Sequence, residues 1–104
     1  MARYDIFAHP DVVEREHIPF LLAIQNSYLD LIETTVVIPL CVADSLPTSV
    51  PDLNPSLTVL GQGVVLNTAA LGPVPNSVLR HPLGNLSADK NSIQTALDTL
   101  FGGY

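Results

Sequence analysis

Apolar periodicity changes once along this chain, and that change constrains the architecture more than any other feature. Up to His81-Pro82 the apolar residues come in short, β-branched runs, whereas from Ser87 onward they recur at every third or fourth position. A period of two residues marks strands and a period of 3.6 marks a helix. Strands therefore come first and a single helix comes last, which predicts a mainly β fold: a small barrel or strongly bent antiparallel sheet closed by a C-terminal α-helix. At 104 residues the chain is read as one domain over 1–104.

Within residues 3–8, Tyr4, Ile6 and Ala8 alternate against Arg3, Asp5 and Phe7, the pattern of a half-buried strand. The stretch HPDVVEREHIP (9–19) is charged and holds two prolines, so it reads as an exposed loop. FLLAIQ (20–25) and TTVVIPL (34–40) read as strands joined by the polar turn NSYLDLIE. Pro39 cannot donate to a sheet ladder, which predicts an edge or a bulge there. LPTSVPDLNPS (46–56) is a loop by its three prolines, with a helical turn expected over 43–46. Runs 57–60 and 64–67 flank Gly61-Gln62-Gly63, predicting a hairpin whose three-residue loop carries a bulge. Residues 76–79 are read as one more edge strand.

For the helix, Ser87 is the expected N-cap and Asp89 sits in the first turn, where a negative charge suits the dipole. Ile93, Ala96, Leu97, Leu100 and Phe101 form its apolar stripe, over a length of about fifteen residues. Gly102 stands where a helix places its left-handed C′ residue. Phe101 continues the stripe and is read as half core. Gly102 and Gly103 leave Tyr104 free to swing, and the aromatic tail TLFGGY is read as a contact surface.

Hydrophobic residues make up 47% of the chain and charged ones 13%, which excludes disorder. A polar coat this thin predicts that part of the apolar surface is covered by a second copy, giving a homodimer. Formal net charge is −6, and the four cations, Arg3, Arg15, Arg80 and Lys90, form no cluster in the sequence. Direct nucleic-acid binding, which requires phosphate neutralisation, is disfavoured. The single cysteine, Cys41, permits no intramolecular disulfide and suits a reducing compartment; it reads as a small buried hydrophobe. The start lacks signal-peptide character and the apolar runs are too short to cross a bilayer, so a cytoplasmic protein without membrane contact is expected.

Catalytic chemistry finds no foothold. His9, His17 and His81 are scattered without ligand spacing, and Asp30 and Glu33 read as solvated turn residues. Gly61-Gln62-Gly63 precedes a strand instead of a helix N-terminus, so it is a turn and no phosphate cradle. Cys41 lacks a neighbouring base in the sequence. No enzyme, metal or cofactor is expected.

Taken in order, several motifs resemble the CcdB toxins of bacterial toxin–antitoxin modules. The family's Val-Gln-Ser…Asp stretch corresponds to Ile24-Gln25-Asn26…Asp30, and its Val-Ile-Pro-Leu is present as Val37, Ile38, Pro39 and Leu40. Pro55 before a strand-turn-strand, the Val-Pro step in GPVP and the closing LGNLSADKNSIQTALDTLFGG agree as well. The resemblance implies an SH3-like barrel, an obligate homodimer and a non-enzymatic poison. Such a protein binds the dimerisation region of the DNA gyrase A subunit, traps the cleaved-DNA complex and is removed by a CcdA-like antitoxin. Carried over by position, the gyrase contacts fall on Tyr28 and Leu29 in the loop, Asp98 and Phe101 on the helix, and Gly102, Gly103 and Tyr104 at the end. Well-known members end in Trp-Gly-Ile, so here the indole is replaced; such a loss at an interface centre removes roughly 2–4 kcal/mol. Two other readings follow from the same resemblance: a weakened or retargeted protein that only binds an antitoxin, and a MazF/Kid-like endoribonuclease.

Overall fold

A computed structural model describes residues 1–26, 29, 31–46 and 48–102. Strands β1 (Asp5–Ala8), β2 (Phe20–Ala23), β3 (Thr34–Cys41), β4 (Ser56–Val59), β5 (Gln62–Leu66), β6 (Gly72–Pro75) and β7 (Gly84–Asn85) precede helix α1 (Lys90–Phe101). Their sheet runs β4-β5-β3-β2-β1-β7, with β6 also paired to β3, and the pairings are antiparallel. The sheet curls into a half-barrel with α1 packed on its inner face, the fold class expected from the change of period.

Two apolar layers hold it. On the inner face Ile6, Leu22, Ile38, Leu40 and Leu66 meet Ile93, Ala96 and Leu97 of α1. On the outer face Phe7, Leu21, Ala23 and Val37 pack beneath Leu79, with Val74 and Val78 against them. Burying each large side chain stabilises by about 1.5–3 kcal/mol. Because both faces are covered, β1 is not the half-buried strand its alternation suggested: Ile6 and Phe7 are each 2% exposed. It is also shorter than expected, since Tyr4 adopts φ +73° and cannot continue a strand.

Prolines are placed by the direction of the backbone. Ile24 N–H donates to the Val36 carbonyl (3.1 Å), so even-numbered residues of β3 face β2 and odd-numbered ones face the other side. The nitrogen of Pro39 thus points where β3 changes neighbour, from β6 (ending Val37↔Gly72) to β5 (starting Leu40↔Leu66). An internal strand tolerates this proline because no ladder donor is needed in that gap, while its carbonyl accepts from Asn67 N–H (3.0 Å). Pro73 and Pro75 lie opposite Val36 and Thr34, so their nitrogens point away from β3, which makes β6 a workable edge strand. Residues 76–79, expected as an edge strand, are not one: Asn76–Val78 form a 3₁₀ turn.

Three further expectations are corrected. The β4–β5 hairpin pairs Val59 with Gln62, leaving a two-residue turn of Leu60 (φ +50°) and Gly61 (φ +80°) with no bulge. Both positive φ values are those of a type I′ turn, whose twist matches the flanking strands. Ser87 opens a 3₁₀ turn over Ser87–Asp89, and Asp89 stands at the N-cap position of α1 without a side-chain cap bond. Phe101 is 69% exposed instead of half buried: burial falls from Ile93 (0%) through Leu97 (8%), so the last turn of α1 extends past the core it packs on. The proline-rich loop is tied down by a residue the patterns did not mark. Asn54, buried, donates from Nδ2 to the Leu66 carbonyl (3.0 Å) and accepts from Val50 N–H (3.0 Å).

Candidate partner-binding surface

Of the seven residues expected at a partner surface, Tyr28, Gly103 and Tyr104 lie outside the described residues. The other four sit on two elements. Asp98, Phe101 and Gly102 share the end of α1, and Leu29 belongs to the β2–β3 connection.

At the helix end, local sequence dictates the geometry. Gly102 takes φ +66° and its N–H donates to the Asp98 carbonyl, so the helix stops on a left-handed residue as expected. Asp98, half-buried, accepts from Gln94 Nε2 through Oδ1 (3.0 Å), one helical turn away. Phe101 then presents an aromatic ring to solvent beside this carboxylate-bearing turn.

The β2–β3 connection is held at both roots. Gln25 mimics a strand residue: Nε2 donates to the Thr34 carbonyl and Oε1 accepts from Val36 N–H, each at 3.1 Å. Asn76 grips the far side, with its N–H donating to the Glu33 carbonyl (2.9 Å) and Nδ2 donating to the Ile32 carbonyl (2.7 Å). Half-buried Leu29 bridges two consecutive turn bonds, to Asn26 and from Ile32. Leu31, 98% exposed, and Ile32, 48% exposed, project from this framed loop. Sequence reasoning missed both; their signal was two aliphatic residues flanked by acids in a turn, where solvation predicts polar ones.

Cys41 is 3% exposed and packs as a small hydrophobe; burial pushes its thiol pKa up, against the opposing pull of a hydrogen bond with Asn67. Among the described residues no three His, Cys, Asp or Glu side chains could hold a metal ion, and no helix is long and apolar enough to cross a membrane.

Two exposed apolar features therefore mark the candidate surface: an aromatic on a capped helix end, and an aliphatic loop braced by two amide side chains. No curated protein matches the chain. The family model described as CcdB protein matches residues 3–103, nearly the whole chain, which therefore belongs to the CcdB family of toxin–antitoxin toxins.

Proposed function

We propose that this protein is the toxin of a toxin–antitoxin pair that acts on DNA gyrase without catalysis of its own. As a cytoplasmic homodimer it binds the dimerisation region of the gyrase A subunit and traps the cleaved-DNA complex, until a CcdA-like antitoxin removes it. Such a poison needs only to bind one gyrase conformation better than another, which shifts the equilibrium towards it. The observation that carries this reading is the exposed ring of Phe101, at the helix position onto which the resemblance carries a gyrase contact. An aromatic left largely in water costs solvation that docking recovers. Leu29, Asp98 and Gly102 join it in this reading, and Tyr28, Gly103 and Tyr104 complete the set.

Calorimetric titration into the gyrase A-subunit dimerisation domain tests it. The full chain binds, Phe101→Ala weakens binding about thirtyfold, equivalent to about 2 kcal/mol, and the chain cut after Phe101 binds more weakly than the full one. Absence of binding by the intact protein, or equal binding by Phe101→Ala, overturns the proposal.

A further inference from the structure

Two cations far apart in the sequence, Arg15 and Arg80, meet in one cavity. It measures about 490 Å³ and is also lined by His81 and by Phe7, Val78 and Leu83. Among the described residues no carboxylate lines it. For a chain of formal net charge −6 with only four Lys or Arg residues, half of those cations in one concavity run against the overall field.

The other two cations are elsewhere. Arg3 donates from Nε to the Ile24 carbonyl (3.0 Å) and lies over the Tyr4 ring (4.9 Å), and Lys90 opens α1. Arg80, by contrast, makes no hydrogen bond or ion pair among the described residues. Arg15 is oriented by a bond from Nε to the His9 carbonyl (2.6 Å), which leaves its two terminal nitrogens available. The loop carrying it is itself braced, since His9 Nδ1 accepts from Asp11 N–H (3.0 Å) and Asp11 Oδ1 accepts from Val13 N–H (2.9 Å). Opposite, Leu83 N–H donates to the Ile6 carbonyl (2.7 Å) and Leu79 is buried, so that wall is fixed to the sheet.

We propose that this cavity binds a small organic anion: an apolar body with a phosphate or carboxylate head. Guanidinium groups pair with such oxyanions through two parallel N–H donors, and Arg15 and Arg80, both exposed, approach the concavity from different segments of the chain. Phe7, Val78 and Leu83 provide the apolar floor, and the volume falls within the range of about 300–1,000 Å³ usual for ligand pockets. Among the described residues none that lines it belongs to α1 or to the β2–β3 connection. The site is thus separate from the proposed gyrase surface and stands or falls independently of it.

Titration of the full chain with phenyl phosphate, benzoate and benzyl alcohol, followed by amide NMR shifts, tests this. At least one anion binds saturably, shifting amides of residues 7–15 and 77–83, and benzyl alcohol binds at least about tenfold more weakly. The tighter of the two anions identifies the head group. Arg80→Gln and Arg15→Gln each weaken the anion about tenfold, whereas Lys90→Gln, at an exposed position outside the cavity, leaves it unchanged. Arg80 is exposed and has no partner among the described residues, so its variant keeps the fold, which the melting temperature checks. Equal affinity for benzyl alcohol, an equal loss in Lys90→Gln, or no saturable binding by about 10 mM overturns the proposal.

Discussion

Leu60 shows how a single backbone angle outranks side-chain preference. It holds φ +50° in a two-residue turn although a left-handed conformation costs a non-glycine residue about 1–2 kcal/mol. Its side chain is 65% exposed and recovers little of that by burial. Leu60→Asn, which builds the favoured Asn-Gly pair, is expected to stabilise by about 0.5–1 kcal/mol. A lower melting temperature in the variant would show instead that Leu60 contributes packing that outweighs the strain. Cys41 provides a pH dependence with a definite sign. Burial raises its pKa in the fold above the ordinary value of 9.0, so the unfolded chain loses this proton first as pH rises. Stability from this group is complete below about pH 9 and declines above it, at no more than about 1.4 kcal/mol per pH unit. Denaturant titrations between pH 8 and pH 10.5 should show a shallower decline for Cys41→Ala than for the parent; parallel slopes would remove Cys41 as the cause.

Elements were legible where their signal was local. The helix was readable because Ile93, Ala96 and Leu97 repeat with its period and Gly102 ends it. That glycine carries a clear expectation: an added Cβ meets no atom within 4 Å, so Gly102→Ala is penalised by its φ of +66° alone. It should lower stability by about 1 kcal/mol, seen in the melting temperature, while far-UV circular dichroism keeps the helix; no change would mean that the cap contributes nothing. Strand existence was also readable for β2 through β5, but neighbours were not. Pro39 predicted an edge because its missing donor is a local fact; the gap between β5 and β6 that accommodates it is not. The 72–75 strand was hidden for the same reason, since two prolines suppress a strand signal unless the outward-facing side is known. The candidate surface was partly legible: Phe101 was marked, but its exposure depends on where the core ends, and the bracing by Gln25 and Asn76 depends on long-range pairing.

For the whole molecule, the thin polar coat has a consequence in association. Val12, Val13, Leu31, Leu60 and Phe101 are each more than 60% exposed. Exposed apolar residues drive assembly where they adjoin in one patch, and the proposed homodimer requires such a patch. Light scattering at micromolar concentration should give twice the chain mass of 11.1 kDa; a mass of one chain would remove the dimer from the proposed function.

By itself the sequence determined the class of the fold, because the switch from two-residue to 3.6-residue periodicity and the punctuation by proline and glycine act within a few residues. It also determined the sparse charge and the aromatic end of the helix. Only the tertiary structure decided which faces are buried, where Pro39 finds its gap, and that Arg15 and Arg80 share a cavity with His81. Those outcomes depend on sheet curvature and strand order, which bring together residues some sixty-five positions apart, and no local pattern encodes that separation.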